Sequence, residues 1–184
     1  MIDPASGPFL FDTSADSCLA RTKAPAERAW IRSYLALFPL HVSAITVLER
    51  MRGYAVLLER TPPLRRAVIE TARSEYLRAL ETETTRVLPF TTAGSLIAAQ
   101  LVALSPTPPS PPRGSHQLAE SRPERLHRWR LDILIAATAL ATGLPLIHTN
   151  PEDFEHLRCM IERFPRRFPG TGPLQLISVL RLAD

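Results

Sequence analysis

The chain has 184 residues, 45% of them hydrophobic, and a formal net charge of +4 at pH 7, enough for one substantial core and too little for two typical domains. Met1 to Ala20 carries no Lys or Arg, so it lacks the basic head of a signal peptide, and the longest apolar-rich stretch, Ile133 to Ile147, is interrupted by Thr138, Thr142 and Gly143, short of the roughly 20 residues of a membrane span. One cytoplasmic globular domain over 1–184, with no membrane contact, is the expectation.

Pro8-Phe9-Leu10-Phe11 is a short apolar run ending at Asp12-Thr13-Ser14, which reads as a buried strand stopping in a polar turn. From Ala26 to Phe38, Trp30, Ile31, Tyr34, Leu35 and Phe38 recur at helical spacing, and Pro39 stops the pattern. His41 to Ile45 reads as a second strand, with a helix from Thr46 to about Arg60 that Thr61-Pro62-Pro63 closes. The next helix, Leu64 to Thr84, places Leu64, Val68, Ala72 and Tyr76 on one stripe. Arg86 to Phe90 reads as a third strand, and Thr91 or Thr92 caps a helix ending near Leu104.

Ser105 to Ser115 then holds five prolines in eleven residues, which forbids regular structure and reads as a surface loop inside one domain. Beyond it, Ile133 to Ala141 is expected to be helical with Gly143 just past its end, Pro145 to His148 to be a strand, and Leu174 to Val179 the last strand. Strands alternate with helices throughout, which predicts an α/β fold with a largely parallel central sheet flanked by helices. In such sheets ligands bind outside the carboxyl ends of the strands.

Two cysteines, Cys18 and Cys159, stand at unrelated positions without a CxxC. They give neither a disulfide framework nor a zinc ligand set and read as buried or half-buried thiols. All of the 22 basic residues except Lys23 are arginines. Arginine holds phosphate with two parallel N–H bonds, which suits a nucleic-acid ligand, although genomic base composition accounts for the same bias.

The acids are more informative. Of six aspartates, Asp3 and Asp184 lie at the termini, leaving Asp12, Asp16, Asp132 and Asp153. Asp12 follows strand one, Glu49 lies in the first turn after strand two, and Asp153 follows the strand ending at His148, so the three converge on one sheet edge. Asp132 stands just ahead of the most apolar stretch, where a carboxylate is costly unless paired or bound to a cation. Each also has a structural reading: a turn acceptor for Asp12, the fourth residue of a capping box from Thr46 for Glu49, an N-cap at Ile133 for Asp132, and a first-turn carboxylate for Asp153. Those readings give no reason for all four to share one end of a sheet. Clustered carboxylates repel unless a divalent cation neutralises them, and ligation by oxygen alone points to Mg²⁺ or Mn²⁺. No Ser/His/Asp or Cys/His arrangement stands out, and His148, at a strand end, reads as packed rather than catalytic.

Three segments resemble the PIN domain, and within it the VapC-type toxins of bacterial toxin–antitoxin pairs. Phe9-Leu-Phe-Asp-Thr-Ser14 is similar to the opening strand and its acidic turn, and Val42 to Glu49 to the second strand and its glutamate. Leu131-Asp-Ile-Leu-Ile-Ala-Ala-Thr-Ala-Leu, continuing to Asn150-Pro-Glu-Asp-Phe154, resembles the long signature near the C-terminus, and Val87 to Phe90 adds weak support. The resemblance implies a Mg²⁺-dependent endoribonuclease, with Mn²⁺ as a substitute, whose catalytic and metal-binding positions fall on Asp12, Glu49, Asp132 and Asp153. Ser14 and Asn150 are implied as supporting polar residues. It also implies a homodimer, an RNA substrate and a cognate antitoxin partner. The alternative is a catalytically silent PIN module that binds RNA or a protein.

Three departures stand out: Thr91 where an acid commonly follows Pro-Phe, the long stretch from the prolines through Ala119 to Arg130, and Ala15-Asp16 where aliphatic residues are usual. Asp16 reads as a solvated helix-start residue in preference to a fifth acid at the site. A phosphoacceptor receiver domain is set aside because it needs a lysine near its last strands. A haloacid-dehalogenase-like phosphatase is set aside because Asp12 to Asp16 is not Asp-x-Asp.

Overall fold

The computed structural model of the chain describes residues 2–21, 24–110 and 121–179. Among the described residues, five parallel strands form one sheet in the order β3-β2-β1-β4-β5: β1 (Leu10–Phe11), β2 (Leu40–Ser43), β3 (Thr85–Leu88), β4 (Leu146–His148) and β5 (Leu176–Ser178). The helices are α1 (Thr13–Arg21), α2 (Pro25–Leu35), α3 (Ala44–Arg60), α4 (Pro63–Glu81), α5 (Thr92–Leu104), α6 (Arg122–Thr142) and α7 (Pro151–Arg163). The predicted α/β fold with a parallel sheet is what forms.

Strand alternation divides the core in two. Phe9, Phe11 and Ile147 face one side, where they pack with Trp30 and Tyr34 of α2. Leu10 and Leu146 face the other, among side chains of α5, α6 and α7. The Phe9 amide donates to the Tyr34 hydroxyl at 3.1 Å, locking α2 to the sheet at a buried polar contact. The order of strands reverses between β1 and β4, so the chain leaves their carboxyl ends toward opposite faces and opens a crevice there.

Several boundaries differ from the sequence reading for identifiable reasons. The residues after Asp12 continue as α1 instead of stopping in a turn, because Asp12 caps that helix: Ala15 N–H donates to its carboxylate at 2.5 Å. The second helix begins at Ala44, not Thr46, since the Ser43 hydroxyl accepts from Thr46 N–H at 2.9 Å and is itself the N-cap. Glu49 is therefore no capping-box residue. α6 begins at Arg122, not Ile133, with a Ser121/Glu124 capping box, which leaves Asp132 in mid-helix and removes its N-cap reading.

Gly143 ends α6 at φ 70° as expected, in the left-handed region where a Cβ is strained. Thr91 caps α5, accepting from Gly94 N–H at 3.2 Å. The expected stripe of α4 is buried only at Tyr76, whereas Leu64 is 98% and Val68 75% exposed. Cys18 and Cys159 are exposed, against expectation, because each lies on the outer side of its helix. Residues 105–110 are irregular, as the prolines dictate, and are held by Arg125, which donates to the Pro109 carbonyl at 2.8 Å. The remainder of that loop, with Ala119, lies outside the described residues.

Candidate functional site

The crevice at the carboxyl ends of β1 and β4 gathers the four predicted acids. Asp12 follows β1 directly and is 3% exposed. Its backbone N–H donates to the Ile147 carbonyl at 3.0 Å, which ties it to the end of β4. Glu49 lies in the second turn of α3 and accepts a short hydrogen bond from the Thr13 hydroxyl. Asp132 enters from the middle of α6, 7% exposed, and Asp153 from the first turn of α7, 1% exposed.

Asn150 joins the last two. Its amide nitrogen donates to Asp153 at 2.7 Å and lies 3.4 Å from Asp132. The other amide atom, Oδ1, is buried without a hydrogen-bond partner. Arg128, one turn before Asp132, sits 3.7 Å from the Asp153 carboxylate.

Electrostatics confirm that the acids sense one another. Burial raises the Asp12 pKa to about 7, offset in part by backbone hydrogen bonds from Ala15 and Thr149 and pushed further by the charges of Glu49 and Asp16. Asp132 is held well above the usual carboxylate range by burial first, then by Asp153, Asp12 and Glu49, with Arg128 opposing. Burial also raises Glu49, against the Thr13 hydrogen bond and Arg52. Taking these charges out of water is costly, and the nearby cations do not offset it.

Other expectations are resolved by position. Ser14 is exposed at the first turn of α1, and it is its neighbour Thr13 that reaches Glu49. Thr13 and Arg128 were not singled out from the sequence, although Thr13 adjoins Asp12 and Arg128 precedes Asp132 by one helical turn. Asp16 is not solvated, and although its charge bears on Asp12 it makes its ion pair elsewhere. It is 5% exposed and pairs with Arg50 at 3.5 Å, while Arg50 covers the Tyr76 ring at 4.7 Å. His148 is packed, as read, against Phe154 with ring centroids 5.2 Å apart. Burial lowers its pKa to about 4 and keeps it neutral.

The sequence profile of the PIN domain matches residues 9–158, a span that contains all four acids. The chain belongs to the PIN family. No curated protein matches it. Among solved structures, this PIN chain is similar to the DNA-bound VapBC of Salmonella typhimurium at 20% identity and a TM-score of 0.55, covering 93% of this chain and 97% of that one. It is also similar to FitAcB of Neisseria gonorrhoeae (19% identity, TM-score 0.57, 95% and 99% covered). A third likeness is VapBC2 of Rickettsia felis bound to a promoter DNA fragment (12% identity, TM-score 0.55, 92% and 97% covered). At these identities the likeness establishes the fold shared by PIN chains.

Among the described residues, no group of three or more His, Cys, Asp or Glu side chains stands in a metal-holding arrangement. Each of the four acids has a hydrogen-bond partner: Ala15 for Asp12, Thr13 for Glu49, and Asn150 for Asp132 and Asp153.

Proposed function

We propose that this PIN chain is a single-domain, Mg²⁺- or Mn²⁺-dependent endoribonuclease and the toxin of a toxin–antitoxin pair, hydrolysing RNA phosphodiester bonds. The observation that carries the reading is electrostatic. Four carboxylates from four different segments share one crevice, and burial first, then mutual repulsion, lifts Asp12 and Asp132 above the usual range. A fold does not assemble such a cluster for stability alone.

The donor set fits a hard divalent cation. All four groups offer oxygen only, His148 is turned into packing, and the unpartnered Asn150 Oδ1 adds a buried amide oxygen. Asp12, Asp132 and Asp153, with Glu49, are the residues that would hold it. Once bound, such a cation supplies positive charge to the scissile phosphate and acidifies the attacking water.

The chain's own side chains do the remaining work. Thr13 holds one oxygen of Glu49, and Arg128 and Asn150 fix Asp153, which is the positioning that ligating carboxylates need. Glu49, the one of the four that is only half-buried, is the group that can exchange a proton with solvent during hydrolysis.

Purified protein should cleave single-stranded RNA with Mg²⁺ or Mn²⁺ and not with EDTA, and Asp12→Asn or Asp132→Asn should abolish cleavage while the protein stays folded. Equal cleavage by wild type and both variants would sink the assignment. The antitoxin and homodimer parts rest on likeness to VapC-type toxins and on the VapBC assemblies of similar fold. They are tested by co-expressing the product of an adjacent reading frame and measuring complex mass and relief of growth arrest.

A further inference from the structure

Asp16 and Arg50 line a cavity to which none of the four clustered acids contributes. Its volume is about 390 Å³, toward the small end of the range for pockets that hold small molecules. Three periodicities build it. Leu40 and Val42 share one face of β2, Arg50 and Tyr54 stand one turn apart on α3, and Ala72, Glu75, Tyr76 and Ala79 recur at helical spacing on α4. Ala72 and Ala79 flank Tyr76 on that stripe, and their small side chains leave the volume that larger apolar residues would fill. Glu75 is exposed and both alanines are half-buried, so the cavity opens on the α4 side.

Three buried atoms of the lining residues have no hydrogen-bond partner among the described residues: Asp16 Oδ2, Arg50 Nε and the Tyr76 hydroxyl. Asp16 is 5% and Tyr76 9% exposed, so bulk water does not serve them. Polar groups buried in this way are rare in folded proteins. Asp16 Oδ2 and Arg50 Nε lie 3.5 Å apart, an acceptor beside a donor. Burial, with the charge of Asp16 adding to it, raises the Tyr76 pKa, so the hydroxyl keeps its proton and donates. Ordered water is a poor filling. The space takes on the order of ten waters at roughly 30 Å³ each, and most of the wall, alkyl groups and tyrosine rings, offers them no hydrogen bond.

Charge decides which class of molecule fits. Two carboxylates, Asp16 and Glu75, line the cavity against one guanidinium, which disfavours an anion. A cation is disfavoured as well, because the Arg50 guanidinium already lies over the rings of Tyr76 at 4.7 Å and Tyr54 at 5.8 Å, the place an organic cation would take. A purely apolar molecule leaves the three polar atoms unserved. What remains is a neutral, flat ring system with an amino group to donate to Asp16 and, beside it, a ring nitrogen to accept from Arg50 or Tyr76. Adenine and cytosine carry such an edge, and uracil has no amino group.

We propose that this cavity is a binding site for a free adenine- or cytosine-type nucleoside, held by Asp16, Arg50 and Tyr76 between the sheet and α4 and distinct from the carboxylate cluster. The base is read at its amino edge and buried against aromatic and apolar side chains, the combination by which proteins hold bases taken out of a stack. The site is independent of the nuclease reading above.

The test is calorimetric titration of the full chain in EDTA with adenosine, cytidine, uridine and adenosine monophosphate. Adenosine or cytidine should bind at one site per chain, with uridine and the monophosphate weaker by about tenfold or more. Tyr76→Phe removes only the hydroxyl. It should weaken binding about tenfold and melt no lower than wild type, because the hydroxyl it removes is buried without a partner. Ala79→Leu fills the cavity and should abolish binding with thermal stability retained. An unstructured oligoadenylate should not displace adenosine from wild type. No binding of any nucleoside at about 1 mM overturns the site. Uridine bound as tightly as adenosine and cytidine overturns the amino-edge reading, and full affinity in a folded Ala79→Leu variant puts the ligand elsewhere and overturns the site. Displacement of adenosine by oligoadenylate overturns the free nucleoside in favour of a base carried in RNA.

Discussion

The amide of Asn150 spans two carboxylates, donating to Asp153 at 2.7 Å and lying 3.4 Å from Asp132. One neutral side chain thereby separates two acids that repel each other, at the point where β4 passes into α7. Because Asn150 is the N-cap position of α7 yet makes no capping hydrogen bond, its side chain is committed to the acids instead of the helix. Asn150→Ala should leave both carboxylates short of a donor and cost about 1–3 kcal/mol in cation-free buffer. Urea denaturation in EDTA measures this. Unaltered stability would mean that the amide does not hold the pair together.

The raised pKa of Asp12 sets a pH dependence with a definite sign. Its folded value of about 7 lies above the ordinary 3.8, so its ionisation is harder in the folded state. The stability it contributes is intact below pH 4 and is lost as pH rises to about 7, on the order of 4 kcal/mol in all. His148, lowered to about 4, acts in the opposite sense and costs stability as pH falls from 6.5. The two effects mask each other in the wild type, and the comparison with Asp12→Asn isolates the first. In EDTA the variant should match wild type at pH 4 and exceed it by a few kcal/mol at pH 8, and Mg²⁺ should shrink the gap at pH 8. A gap that stays constant from pH 4 to 8 would refute the shift.

The carboxyl-edge site was legible because Asp12, Glu49 and Asp153 each stand within a few residues of a strand end, and parallel topology brings strand ends together. Asp132 was placed at the site but at the wrong point in its helix. Four arginines and a glutamate crowd residues 122 to 130, and only Leu126 and Trp129 carry the buried stripe back from Ile133, so the first half of α6 looks like loop. Only the Ser121-x-x-Glu124 box marks the true start. α1 was missed for a related reason: Asp-Thr-Ser reads as a turn, and the short residues after it show no stripe. Leu64 and Val68 mimic a buried face at the right spacing, yet both are exposed among the described residues, and periodicity cannot report that.

Thr13 offers a test of how the glutamate is held. Its hydroxyl is the donor to Glu49, and it lowers a carboxylate that burial raises. Thr13→Val keeps the shape and removes the donor, so Glu49 should swing more freely and bind protons more tightly. Mg²⁺ affinity, read by calorimetry at pH 7.5, should fall about 10–100-fold, the usual cost of losing a group that orients a ligand, with RNA binding in EDTA unchanged. Affinity equal to wild type would remove Thr13 from the site.

The Asp16–Arg50 pair, behind the site, predicts non-additive mutational behaviour. The carboxylate and guanidinium are 6% and 12% exposed and 3.5 Å apart, Arg50 also donates to the Ser17 hydroxyl, and the group sits beside a cavity of about 390 Å³ walled by Leu40, Val42, Tyr54 and Tyr76. The Arg50 guanidinium lies over Tyr76 at 4.7 Å and Tyr54 at 5.8 Å, which adds a cation–π component. Arg50→Ala strands Asp16 as a buried, uncompensated charge and should destabilise the protein by about 3–5 kcal/mol. Asp16→Leu combined with Arg50→Met replaces the pair with apolar groups of similar volume and should recover stability to within about 1 kcal/mol of wild type. Urea melts of the two single variants and the double close the cycle. A double variant as unstable as Arg50→Ala would show that the guanidinium is needed for its packing on the tyrosines and not for the charge of Asp16.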